Sequence, residues 1–166
     1  MKSRKAFDSI CESGSRGLLA VSLLIMRFTL GLMFFLAGFS KLTTEWTAAG
    51  YLSGATGPFA GWFQVLAGSP IVDALNAWGL LLIGVSLLLG LCLRSASYAA
   101  IVMMAMYYFA HFEQNTVNGL IEEHVVIGLA FLILIGSGIG NVIGLDTFIE
   151  RTRAYQSKRW LKWFFG

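Results

Sequence analysis

Arg27, Lys41, Tyr107, Tyr108, His111, Glu123 and His124 are the side chains of this sequence whose types and spacing suit chemistry. Arg27, Gly31, Phe34, Gly38 and Lys41 recur at alternating spacings of four and three, which puts them on one stripe of a helix. Tyr107 and Tyr108 precede His111 by four and three residues, so a helix brings them toward its face. Glu122, Glu123 and His124 follow after a short connection. Arginine, tyrosine and histidine donate hydrogen bonds, while glutamate and histidine exchange protons with water. That set suits a quinone, an apolar ring whose two carbonyl oxygens gain two protons on reduction. Lys41 and Arg27 would equally attract a small oxyanion. The spacing specifies a polar pocket more firmly than its ligand.

The elements that must position these residues are apolar. Arg27 interrupts a run from Gly17 to Ser40 that holds no other charge. About 20 residues cross a hydrocarbon core, so Arg27 is expected near the midplane. A charge there costs roughly 2.5–3.5 kcal/mol on insertion scales, which makes a purely decorative role poor value. Its structural alternative is an ion partner that holds helices together. The chain is 57% hydrophobic and 13% charged, with mean hydropathy +0.72, too apolar for a soluble domain of this length. Further runs span about Ala74–Leu93, Ser95–Ala110 and Val125–Leu145. A backbone in lipid must satisfy its own hydrogen bonds, so each run reads as a helix. The expected fold is all-α, an integral membrane four-helix bundle forming one domain over 1–166. Its spans fall at about 17–40, 74–93, 95–112 and 123–145, with an amphipathic tail over about 147–166.

Lys and Arg set the expected orientation. All twelve except Arg27 and Lys41 fall in the two tails or at the turn carrying Arg94. The positive-inside rule then places both termini in the cytoplasm, N-in and C-in. The basic balance follows from topology and anionic lipid headgroups, so no nucleic-acid partner is expected. The tail Lys158–Gly166 mixes cations with aromatics and suits the inner membrane surface, or a partner. Cys11 and Cys92 then face a reducing compartment, and neither belongs to a Cys-x-x-Cys pair. The outer segment 41–73 carries Trp46, Tyr51, Phe59, Trp62 and Phe63 and is expected to form a short interfacial helix or lid. Pro70 suits the start of the second helix.

Other readings compete at several positions. The first helix exceeds the 7–15 apolar residues or so of a cleaved signal core. Lys41 would serve equally as an interface anchor, Tyr107 and Tyr108 as aromatic belt, and Glu122 as an acidic helix start. No Glu-x-x-His, His-Glu-x-x-His or cysteine cluster occurs, so no tightly bound metal is expected. A haem on His111 and His124 would sit too near the surface. Gly136-Ser-Gly138-Ile-Gly140 follows no strand, so it reads as helix packing and termination rather than a nucleotide site.

The pattern Arg27-x3-Gly31-x6-Gly38-x2-Lys41 resembles the first-helix signature of the DoxX/DoxD membrane proteins. The likeness continues through Trp78-Gly-Leu-Leu-Leu-Ile-Gly84 to Arg94, through Glu123-His124, and through Gly140-Asn-Val-Ile-Gly-Leu-Asp146. It covers about 17–147, and the DoxD branch fits best. The resemblance implies a subunit linked to respiratory quinone, in the manner of thiosulfate:quinone oxidoreductase, which converts thiosulfate to tetrathionate. It implies a DoxA-like or other redox partner, membrane quinone as substrate, and a prokaryotic inner-membrane location. Arg27, His124, Glu123 and His111 are then the expected catalytic residues, with Lys41, Tyr107, Tyr108 and Trp78 at the quinone. A noncatalytic anchor or assembly subunit of a redox complex is the rival reading. A solute carrier is disfavoured by the lack of an inverted repeat or broken helix. Oligomeric state stays open, including a homo-oligomer.

Overall fold

Both prolines of the chain, Pro58 and Pro70, lie beyond its first helix, and nothing else in the opening segment interrupts helical hydrogen bonding. In the computed structural model, which describes residues 2–112 and 121–138, α1 accordingly runs unbroken over Lys2–Thr43. It starts well before the expected residue 17. At 1.5 Å per residue it is about 63 Å long, twice a bilayer core. Short helices α2 (Ala49–Ser53) and α3 (Ala60–Val65) follow, then α4 (Pro70–Leu89), α5 (Leu93–Ala110) and α6 (Glu123–Ser137). Among the described residues there is no strand, only a single bridge between Thr56 and His111.

Element ends follow local chemistry. Pro70 occupies the first turn of α4, where its missing N–H costs nothing, and Asp73 favours the dipole there. Gly90 closes α4 in the left-handed conformation at φ 65°, and Cys92 takes φ 52° two residues later. That tight turn ends α4 at Leu89 rather than near residue 93 and starts α5 slightly earlier than residue 95. Gly138, also left-handed, ends α6 at Ser137, and the remainder of the expected span to 145 lies outside the described residues. The expected tail over 147–166 lies outside the described residues.

The long helices pack in a ring: α1 on α4, α4 on α5, α5 on α6, and α6 back on α1. The stripe along α1 makes the first contact, with Arg27, Gly31, Phe34 and Gly38 all buried. A Cβ on Gly38 would collide with the backbone of Leu81, and one on Gly84 with the backbone of Phe35. These two glycines let α1 and α4 touch main chain to main chain. Phe34 meets Phe131 of α6 edge to face at 5.3 Å between centroids. Leu80, Ile83, Leu87, Leu93, Ala100, Met104 and Leu134 complete the core.

Apolar residues also cover the outside of the ring, among them Leu32, Leu36, Leu82, Val102, Leu129 and Ile133. Soluble monomers rarely expose such continuous apolar surface, whereas lipid accepts it. Residues 16–43 of α1 and the whole of α4 are long and apolar enough to cross a membrane. The other two expected spans differ. Arg94, the serines and the tyrosines dilute α5, and α6 is apolar but only 15 residues long.

Candidate functional site

A cleft of about 1090 Å³ lies between α4 and α5, with residues of α1, α6 and the outer segment completing its walls. Its walls are mostly aliphatic and methionine side chains, with Ser86, Cys92, Ser95 and Tyr98 toward the Gly90–Cys92 turn. The opposite end is polar and aromatic, lined by Lys41, Trp46, Tyr51, Asn76, Tyr107, Glu123 and His124. The segment expected as a lid supplies part of that end. Its helices α2 and α3 bury Leu52 and Phe63 in a small core with Ala48, Ala55 and Ala110. It is tied to the end of α5 by the Thr56 N–H, which donates to Ala110 O at 2.9 Å.

Hydrogen bonds link the polar end across helices. Asn76 Nδ2 on α4 donates to the Tyr107 hydroxyl on α5 at 2.6 Å. Tyr107 stacks edge to face on the His124 ring, 5.4 Å between centroids. Glu122 caps α6, accepting from the His124 backbone N–H at 3.1 Å while its carboxylate meets His124 Nδ1 at 2.6 Å. The cap and the ring contact together fix the imidazole beside the cleft. Tyr51 donates from its hydroxyl to Tyr107 O at 3.3 Å and lies 4.1 Å from the His111 ring. Burial above all, then Tyr107 and the charges of Glu122 and Glu123, push the Tyr51 phenol up to about 12. Lys41 Nζ stands 3.3 Å over the Trp46 ring, within electrostatic reach of Asp73.

The structure thus brings together Lys41, Tyr107, Glu123 and His124 and leaves other candidates apart. Arg27 does not line the cleft. Its Nε donates to Leu87 O at 2.7 Å, level with the last turn of α4 rather than beside the outer tyrosines. The α1 stripe is real, but fourteen residues of helix separate its two cations, so Arg27 lies by Leu87 at the end of α4 and Lys41 near Asp73 at its start. His111 packs beneath Tyr51, with both ring nitrogens enclosed and unpartnered among the described residues. Tyr108 turns toward Phe109 and Phe112, and Trp78 is half exposed on the outer face of α4. Neither borders the cleft.

Asn76 was not singled out by the sequence; Tyr51 was expected only among the outer-segment aromatics, and Glu122 as an acidic helix start, which its cap on α6 matches. Asn76 did carry a signal, being the one amide in the run Ala74–Leu93. Glu122, Glu123 and His124 each offer a ligand atom within 4.8 Å of the others, but Glu122 is already engaged with His124.

The DoxX family model matches residues 22–113, more than half of the chain. The chain belongs to the DoxX family. No curated protein and no solved structure matches it. Membership and the apolar helices together point to a membrane protein. The match includes Arg27, Lys41, Asn76 and Tyr107, whereas Glu122 and His124 lie beyond it.

Proposed function

We propose that this DoxX protein is the membrane subunit of a quinone-linked oxidoreductase and that the α4–α5 cleft receives the quinone. The observation that carries the reading is the cleft itself, an apolar slot ending on the Asn76–Tyr107 hydrogen bond and the Glu122-held His124. A quinone tail and ring match the slot, and its carbonyl oxygens need the donors at the end. The volume of about 1090 Å³ lies just above the range of small-ligand sites, about 300–1,000 Å³. In this reading the ring of α1, α4, α5 and α6 is a four-helix bundle in a prokaryotic inner membrane. Both termini are cytoplasmic by the positive-inside rule, and the polar end opens outward.

Thiosulfate is the proposed electron donor, by the DoxD likeness, with a DoxA-like or other redox subunit as partner. The test is anaerobic quinone reduction by natively purified protein together with its co-purifying chains. Thiosulfate-dependent reduction that falls at least tenfold in His124→Gln supports the reading. A folded, fully partnered sample that reduces no quinone would sink it. One observation favours the anchor alternative: the buried cation Arg27 serves helix packing rather than the cleft. An anchor would keep its partner bound in every cleft variant and show no quinone turnover of its own.

A further inference from the structure

On α4, Leu75, Gly79, Leu82 and Ser86 recur at spacings of four, three and four, and all line the cleft. On α5, Ser95, Ala99, Val102 and Met106 repeat those spacings and line it too. Each set is one stripe of its helix. Asn76 bonds to Tyr107, and a Cβ on Gly79 would meet the Met103 methyl, so the two stripes run antiparallel along one gap. Leu75, Leu82, Val102 and Met106 belong at the same time to the exposed outside of the ring. Cleft and outer surface therefore share a border on both helices, and the gap is a slit open sideways. From residue 75 to residue 86 it runs about 16 Å, half of a hydrocarbon core. α4 is long and apolar enough to cross a membrane, so the slit faces acyl chains, and none of its eight residues is charged. The polar end offers an apolar ring a harder way in. Trp46, Leu52, Phe63 and Leu66 line the cleft from the outer segment, Lys41 stands on Trp46, and Thr56 ties that segment to α5.

Resting on the quinone reading, we infer that the ligand enters the cleft sideways from the bilayer, through the α4–α5 slit, and that its tail stays there. The ring then lies toward Tyr107 and His124, while the tail runs between the two stripes and on into lipid. The substrate class is accordingly a long-tailed quinone drawn from the membrane, and the polar end is left to water and protons. A single chain can enter such a slit. A partner helix, about 10 Å across, would cover it from outside without reaching the polar end. Lipid is as apolar as the stripes, so seating the tail adds little affinity. The slit decides route and position rather than strength.

Position is therefore what the experiment reads. The probe is a benzoquinone whose decyl tail ends in a diazirine, photolysed with the unaltered full chain in lipid nanodiscs. Peptide mass spectrometry locates the attached tail, and excess decyl-tailed benzoquinone without the diazirine identifies the specific fraction. Labelling of the two stripes, at Leu75, Leu82, Val102 or Met106, should be lost on competition. Leu129 and Leu132, exposed on α6, should carry a lipid background that the competitor leaves unchanged. Competed labelling that spares both stripes and falls on the outer segment would mean that the tail leaves through the polar end, and would overturn the sideways route. Competed labelling confined to the turn at Cys92 would mean a tail enclosed within the cleft, and would overturn it as well. Competed labelling nowhere on the chain would instead remove the quinone reading itself.

Discussion

Arg27 Nε and Leu87 O, sixty residues apart in sequence, are joined by a hydrogen bond of 2.7 Å inside the α1–α4 contact. The last four carbonyls of a helix lack intrahelical donors, and Leu87 is among them. The Gly90 turn serves the neighbouring Ser86 carbonyl, and Arg27 serves this one. A cation at that place also meets the negative end of the α4 dipole.

Arg27→Leu therefore strips a buried carbonyl of its donor, and the expected loss is roughly 1–3 kcal/mol of stability. Thermal unfolding in detergent reads it as a lowered Tm, with quinone affinity of the folded fraction changed little. Unchanged Tm with abolished quinone binding would return Arg27 to the ligand.

Gly38 and Gly84 are closed positions, whereas Gly128 on α6 has open space where a Cβ would stand. Gly38→Ala and Gly84→Ala press a methyl into the partner backbone, which cannot rotate away as a side chain can. Each should cost roughly 1–3 kcal/mol. Gly128→Ala should instead add roughly 0.5–1 kcal/mol through helix entropy. Unfolding midpoints of the three variants give the comparison, and a shared sign would contradict the packing described.

Ala99 lines the cleft from α5 and is exposed to its space. Ala99→Trp fills the slot without touching Asn76, Tyr107 or His124. Quinone affinity should fall at least about tenfold while Tm holds. Such a loss in a variant that keeps every polar group of the cleft means steric exclusion. Retained affinity would place the ligand elsewhere on the molecule.

The helical class, the α1 stripe and the start of α4 at Pro70 were legible because each depends on local periodicity or on one residue's backbone chemistry. The pairing of Arg27 with Lys41 was misleading for a geometric reason. A stripe shows which face a residue occupies, but fourteen residues of helix separate the two cations by about 21 Å. Tyr107 and Tyr108 show the same limit, since spacing let either share the His111 face and tertiary packing turned Tyr108 outward. Asn76 was hidden by register: its tie to Tyr107 depends on how α4 and α5 are set against each other, which no local pattern encodes. The apolar span of α1 at 16–43 matches the expected 17–40, while the continuation of the helix back to Lys2 is a polar stretch that apolar content could not reveal.

Tyr51 gives a prediction in pH. Its phenol, ordinarily near 10, is pushed to about 12 in the folded chain, first by burial and then by Tyr107, Glu122 and Glu123. The folded state thus holds this proton more tightly than the unfolded state. The corresponding stability is fully present below pH 10 and is lost as pH rises through about 12. Tyr51→Phe cannot ionise and also lacks the hydroxyl that donates to Tyr107 O. The stability difference between the two chains should be constant up to pH 10, then move against the tyrosine form. Denaturation in detergent at stepped pH measures it, and the phenolate absorbance lost in Tyr51→Phe should titrate near 12 rather than 10. Parallel stability curves, or a phenol titrating at its ordinary value, would mean that Tyr51 is solvated and the lid stands away from α5. A late titration instead keeps the lid seated over His111 and the cleft mouth throughout the physiological range, with a neutral hydroxyl toward Tyr107.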